Sequence, residues 1–288
     1  MIERLKGIAR RVLALDQIEY SSPEARQRVQ PNSLLHYGFN VYSQRGDDGI
    51  VREVFRRLNV KTRYFCEFGA WDGVYLSNTR LLFEYGWSGT YIEGDPRKFK
   101  ALRRRYERYP NIRCINCFVS ACDTEAGKTL DGLWEECAGA ESTTPIDFLS
   151  IDIDGLDLNV FESLKMTPTV VAIEGGGSWH PRMEERVPDY VAARNLQQPL
   201  AVMISSARKK GYEPICFNQN LYVIRREHSE KFGGIINDVD TLWRDFYYFQ
   251  SEQFRLQLRR FREANPLVKE YEGGPRNLPS SDAPTEAP

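Results

Sequence analysis

Tyr64-Phe65-Cys66-Glu67-Phe68-Gly69-Ala70-Trp71-Asp72-Gly73 and Thr90-Tyr91-Ile92-Glu93-Gly94-Asp95 decide the fold of this 288-residue chain. Each begins as an apolar run of strand type and ends in a turn of acids and glycines. An acidic glycine turn after one strand, with an acid closing the next, is the layout of an α/β domain that binds a nucleoside. The glycines let backbone approach the ligand, and a carboxylate can hold both ribose hydroxyls. Glu93 lies 24 residues beyond Gly69 (93 − 69), close to the roughly 20 expected of a ribose acid.

The first turn departs from a dinucleotide fingerprint. It has no G-x-G-x-x-G, and an acid, Glu67, occupies the end of the strand. Carboxylates there would repel a pyrophosphate, which disfavours a nicotinamide-dependent oxidoreductase. S-adenosylmethionine has no phosphate but carries an ammonium and a sulfonium. Glu67, Asp72 and Glu93 suit that ligand, which is the expected cofactor.

Working outward, the chain alternates strands and helices. Asp47 to Leu58 reads as a helix with Ile50, Val51, Val54, Phe55 and Leu58 on one face. Strands are expected at 64–68, 89–93, 112–119, 146–153 and 169–174, with helices from about 77 to 85, from Pro96, within 123–134, at 156–164 and at 199–210. Tyr212–Phe217 and Leu221–Arg225 are strands joined only by Asn218-Gln219-Asn220, so they form an antiparallel hairpin. The expected fold is a doubly wound, Rossmann-like α/β sheet of seven strands ending in that hairpin, the mark of class I methyltransferases. Helical additions are expected at both ends: an N-terminal extension at 1–40, the cofactor-binding domain at 41–235, a long aromatic-rich helix within 236–271, and a disordered tail at 272–288.

Composition narrows the function classes. The net charge of −1 implies no general attraction to nucleic acid or membrane. No segment approaches the roughly 18 apolar residues of a membrane span, and the N-terminus does not read as a secretory signal, so the expectation is a cytoplasmic protein. Arg97, Lys98, Lys100, Arg103, Arg104, Arg105 and Arg108 cover one helix. They are either a solvated face, the ordinary outcome, or a patch for an anionic substrate. Cys114 and Cys117 fall on an expected strand, where residues three apart face opposite ways, so reduced thiols are expected rather than zinc ligands.

An ordered succession of motifs then carries a resemblance. Tyr42-Ser43-Gln44-Arg45-Gly46-Asp47-Asp48-Gly49, the Glu67–Gly73 turn, Leu76-Ser77-Asn78-Thr79, Gly86-Trp87-Ser88-Gly89, Ile92-Glu93-Gly94-Asp95 and Asp147–Gly155 together resemble the FkbM-like S-adenosylmethionine-dependent methyltransferases. The nearest branch is often encoded with bacterial polysaccharide genes. The likeness runs from about Tyr42 to Arg225. It implies methyl transfer to a hydroxyl of a sugar or polyketide-like acceptor. It further implies that Gly69, Asp72 and Asn78 contact the methionine end of the cofactor, Glu93 the ribose, and Asp95 and Ser120 the adenine, with Gln44 and Asp48 closing over the ligand. Two departures stand out: Trp71 replaces the usual middle glycine, and Glu174-Gly175-Gly176-Gly177-Ser178-Trp179-His180 replaces an acid followed by tyrosine and asparagine.

A sugar hydroxyl is a weak acid, so its methylation needs a general base or a metal ion. Asp152 and Asp154 face one side at the end of the fourth strand, and Glu174 ends its neighbour. The three suit Mg²⁺, or Asp152 and Asp154 serve the local backbone. His180, in the glycine-rich loop, is a second candidate base. The expected acceptor is a small molecule or glycan. The alternatives are N-methylation of an amino sugar and a non-catalytic S-adenosylmethionine-binding domain. The aromatic-rich C-terminal helix packs on the sheet, forms a homodimer contact or serves as a substrate lid.

Overall fold

Strands β1 (Tyr64–Phe68), β2 (Ser88–Glu93), β3 (Ile112–Asn116), β4 (Phe148–Ile151), β5 (Val170–Glu174), β6 (Tyr212–Phe217) and β7 (Asn220–Arg225) form one sheet in the order β3-β2-β1-β4-β5-β7-β6. This is a computed structural model that describes residues 23–125, 127–138 and 144–272. The first five strands are parallel; β7 runs antiparallel to both β5 and β6. Only Asn218 and Gln219 separate β6 from β7, too few for a parallel crossover, so the link forces the reversal. The result is a doubly wound, Rossmann-like α/β sheet of seven strands with an antiparallel terminal hairpin.

Strand residues alternate between two cores. Cys66, Phe68, Ile92, Leu149, Ile151, Val171 and Ile173 point to one face; Phe65, Tyr91, Phe148, Val170 and Ala172 point to the other. Helices α1 (Asp47–Leu58), α2 (Arg80–Glu84) and α3 (Pro96–Tyr106) cover the second face. Helix α4 (Leu130–Ala138) follows β3, and α5 (Asp157–Ser163) lies on the first face. After a short turn, α6 (Asp189–Ala192), come α7 (Leu200–Lys209) and α8 (Val239–Phe249), which also pack on the first face. Both faces are covered, so the central strands bury every residue, as parallel strands do.

Three expectations are corrected. The helix expected from residue 77 starts at Arg80, because Ser77, Asn78 and Thr79 all hydrogen-bond to the Glu67 carboxylate. The third strand stops at Asn116, whose side-chain amide turns back to donate to the Glu93 carbonyl. The single aromatic-rich helix is broken into α8 and α9 (Glu252–Ala264), followed by α10 (Pro266–Glu272). Gln250 is extended and Ser251 caps α9 by accepting the Phe254 amide.

Trp243 and Phe246 of α8 pack on Phe217 of β6. The segment before α1 joins the same region, with Gln30 bonded to Asp245 and to the Ile236 backbone. Residues 1–22 of the expected extension and 273–288 of the expected tail lie outside the described residues. Cys66 and Cys216 are buried free thiols, Cys114 and Cys117 are half-buried, and Cys122 is exposed. Among the described residues, no helix is long and apolar enough to cross a membrane.

Candidate active site

A cavity of about 420 Å³ runs along the carboxyl edge of the sheet. Its floor follows the strand order: Cys117–Val119 after β3, Glu93 and Gly94 at β2, Glu67–Trp71 at β1, Asp152–Asp154 at β4 and Glu174 at β5. Gln44 and Tyr75–Ser77 close it from the other side. The crevice straddles the reversal of winding between β1 and β4, where doubly wound sheets bind ligands.

Gly69 makes the floor possible. It sits at φ +72, and a Cβ there would lie 1.8 Å from the Asp152 carbonyl oxygen. Only glycine lets the end of β1 pass so close to β4. The next turn residues carry strain in place of glycine: Trp71 lies at φ +50 and Leu76 at φ +55. The Trp71 ring meets Tyr75 edge-on at 5.4 Å, and the Lys98 ammonium sits 4.2 Å above it.

The two acids of the decisive stretches have separate tasks. Glu67 is buried and accepts hydrogen bonds from Ser77 Oγ (2.6 Å), Thr79 Oγ1 (2.7 Å) and the Asn78 amide (2.8 Å). Burial raises its pKa to about 7 in spite of those donors. Glu67 thus organises the turn that lines the cavity. Glu93 accepts the Trp71 amide on Oε2 (2.7 Å) and the Asp95 amide on Oε1 (2.8 Å). Each oxygen keeps a further lone pair beside the cavity.

Asp152, Asp154 and Glu174 meet at the β4–β5 end, each offering a carboxylate oxygen within 4.8 Å of the others. Asp154 is held at φ +60. Burial, then the charge of Asp154, raises Asp152; burial, then the charge of Asp152, raises Glu174 further. The pair therefore holds a proton near neutral pH, with Glu174 as its carrier and Asp152 as the acceptor. Gln197 Nε2 donates to the other side of Glu174 at 2.9 Å. Behind them Asp157 accepts the Ile153 and Gly155 amides (2.7 and 2.8 Å), and burial raises it to about 7.

Of the expected cofactor residues, Gln44, Glu67, Gly69, Glu93 and Asp152 line the cavity together, as do Asp154 and Glu174 of the expected metal set. The other expected residues do not line it. Asp48 accepts the amides of Val41, Tyr42 and Ser43 and shapes the turn before α1. Asp72 pairs with Arg105 and caps the Val74–Tyr75 turn. Asn78 donates to Ser150 Oγ beneath the floor. Asp95 caps α3 through the Arg97 and Lys98 amides, and the Ser120 hydroxyl donates to the Cys122 carbonyl. His180 is also outside: its neighbour Trp179 is fully buried and donates to the Leu196 and Gln197 carbonyls, which draws the loop away from the strand end. His180 Nδ1 accepts from the Arg182 amide at 3.3 Å.

The sequence reading missed Tyr75, Lys98 and Phe118 as lining residues. The signal was available for Phe118, which follows a parallel strand directly and so must fall at the carboxyl edge.

No protein-family model matches the chain, and no curated protein matches it. Solved structures do. The O-methyltransferase from Bacillus cereus in complex with SAH is 16% identical over 78% of this chain and 100% of its own, with a TM-score of 0.42. The N-terminal domain of EvdMO1 with SAH bound is 11% identical over 64% of this chain and 80% of its own, at a TM-score of 0.40. The bifunctional kinase-methyltransferase WbdD is 13% identical over 60% of this chain and 37% of its own, at a TM-score of 0.37.

Proposed function

We propose that this chain is an S-adenosylmethionine-dependent methyltransferase of the FkbM-like kind, and that it O-methylates a sugar hydroxyl on a saccharide or glycoconjugate. The observation that carries the reading is Glu93: a buried carboxylate at the end of β2, clamped by two backbone amides and open to the cavity, one strand away from the Gly69 turn. That arrangement suits a ribose diol beside a backbone that a ligand can approach closely. Glu67 and Asp152 in the cavity lining favour a cationic nucleoside over a dinucleotide.

S-adenosylmethionine supplies a methyl group already activated by its sulfonium. The chain's own residues align an acceptor oxygen with it and take the proton. Asp152 stands at the end of β4 with Glu174 beside it, so a hydroxyl entering over β4 and β5 meets a carboxylate oriented by a neighbouring carboxyl group. Gln197 fixes Glu174 from behind. Three oxygens of this hardness and spacing also fit Mg²⁺, held by Asp152, Asp154 and Glu174. The ion would lower the acceptor hydroxyl's pKa there.

Calorimetric titration with S-adenosylhomocysteine and with NAD tests the cofactor. Binding of the first without the second is expected; the reverse result refutes the reading. Chelation tests the cluster: loss of transfer with cofactor binding retained supports a metal, whereas full activity assigns the proton to Asp152 alone.

A further inference from the structure

The loop between β1 and α2 carries a tightly held aromatic tip into the cavity. On one side of the tip, Asp72 Oδ1 accepts the Val74 and Tyr75 amides at 3.0 and 2.8 Å. On the other, the Glu67 carboxylate takes Ser77, Asn78 and Thr79. Between these two clamps Leu76 lies at φ +55, a region that residues with a side chain seldom occupy. Val74 is buried, whereas Tyr75 and Leu76 line the cavity at 56 and 39% exposure. Two carboxylates and one strained residue thus hold apolar side chains out in the water. A fold spends strain in this way where the held group meets a ligand.

Tyr75 is free to receive that ligand. Its one ring contact among the described residues is Trp71, edge-on at 5.4 Å, which leaves at least one Tyr75 face open. Its hydroxyl makes no hydrogen bond among them. The other exposed aromatics of the cavity are committed elsewhere. Trp71 gives its amide to Glu93 and one ring face to the Lys98 ammonium. Phe118 packs on Gly94, where a Cβ would fall 2.2 Å from its ring. Both therefore belong to the Glu93 end of the cavity.

Position says which molecule meets the ring. Ser77 Oγ donates to Glu67 of β1 and Asn78 Nδ2 to Ser150 of β4, so the tip is tied to the junction of these two strands. Glu93, the proposed ribose ligand, closes β2 on one side of that junction. Asp152, Asp154 and Glu174 stand at the ends of β4 and β5 on the other. With the proton acceptor at β4, the methyl group lies over β1 and β4, and the adenine lies beyond Glu93 toward Phe118. The acceptor then enters between the Tyr75 wall and the β4–β5 carboxylates. That slot has an aromatic ring and Leu76 on one side and carboxylate oxygens on the other. A pyranose is divided in the same way. Its axial C–H bonds form an apolar face whose hydrogens are drawn to the electron-rich face of an aromatic ring, and its hydroxyl rim donates to acceptors.

We infer that Tyr75 is the stacking platform of the acceptor site, and that the acceptor is a pyranose laid with an axial C–H face on the Tyr75 ring and its hydroxyl rim toward Asp152 and Glu174. This rests on the methyltransferase reading and adds the acceptor's ring form and its seat to it.

The test uses the full chain, with and without S-adenosylhomocysteine, titrated by saturation-transfer NMR with the methyl β-pyranosides of glucose, galactose and mannose, with sorbitol and with catechol. At least one pyranoside should bind about tenfold more tightly than sorbitol, which offers hydroxyls without a ring face, and its ring C–H protons should receive the saturation. Tyr75→Ala should bring that binding down to the sorbitol level, and Tyr75→Phe should keep it. The calorimetric Kd for S-adenosylhomocysteine should stay unchanged in both variants. Pyranosides that bind no better than sorbitol, or a preference that survives Tyr75→Ala, overturn the inference. So does a Tyr75→Ala variant that loses S-adenosylhomocysteine, which would place the ring against the cofactor. Catechol bound more tightly than every pyranoside overturns it in favour of a flat aromatic acceptor. Should Tyr75→Ala not fold, Tyr75→Leu carries the test under the same criteria. A wild-type chain that ignores S-adenosylhomocysteine sinks the methyltransferase reading, and the titrations without it then decide the stacking by the same comparisons.

Discussion

Replacing Glu93 by alanine separates binding from folding. In the folded chain its two oxygens accept the Trp71 and Asp95 amides at 2.7 and 2.8 Å, and the carboxylate is 5% exposed at the cavity wall. If it also receives both ribose hydroxyls, the variant loses two charge-assisted hydrogen bonds, each worth about 1.5–3 kcal/mol. Part of this is offset, because a cavity left by alanine admits water to the hydroxyls and to the freed amides. The net loss should be about 2–3 kcal/mol, or roughly 30- to 150-fold in Kd. The assay is calorimetric titration of S-adenosylhomocysteine into wild type and Glu93→Ala, with a thermal melt of each. The melting temperature should fall by only a few degrees, because both amides can be rehydrated at the open cavity. An unchanged Kd would show that the ribose acid lies elsewhere. A large Kd change accompanied by a collapsed melting transition would show that Glu93 is structural and that the binding argument fails.

Glu67→Ala should divide the other way: three buried donors lose their acceptor, costing about 3 kcal/mol, so the melting temperature should drop by roughly 6–12 °C, and a variant as stable as wild type contradicts the role given to Glu67. Gly69→Ala should prevent stable folding, since its Cβ would fall 1.8 Å from the Asp152 carbonyl oxygen at φ +72; a soluble variant with a normal melt refutes the close approach of β1 and β4. Glu67 and Asp157 both have carboxyl pKa values raised by burial to about 7. The folded chain then keeps protons that the unfolded chain releases, so their contribution is fully present below about pH 4 and is lost as pH rises through about 7. Urea melts should show higher stability at pH 5 than at pH 8 on this account, and the opposite order refutes it. Mg²⁺ binding at Asp152, Asp154 and Glu174 should tighten from pH 6 to pH 8 with proton release, because the ion displaces the proton held on Glu174; pH-independent binding argues against this ligand set.

The sheet was legible before its structure because its signals are local. A parallel strand between two helical layers is apolar throughout, and a three-residue link leaves only the antiparallel hairpin, so β1 to β7 could be placed from the sequence within a few residues. The cluster of Asp152, Asp154 and Glu174 was legible for the same reason: residues that close adjacent parallel strands meet at one edge by backbone geometry alone. What the sequence could not decide was which polar side chains face the ligand and which hold the floor. Glu67 and Glu93 look alike in sequence and both line the cavity, yet the Glu67 carboxylate is consumed by Ser77, Asn78 and Thr79, whereas Glu93 accepts only the Trp71 and Asp95 amides. Asp48, Asp72, Asn78, Asp95 and Ser120 turn to local amides or neighbouring side chains instead, and buried Trp179 draws His180 away from the strand end. Backbone periodicity is a property of neighbours in the chain; the partner of a polar side chain is settled by whichever donor, acceptor or ring the completed fold brings within reach.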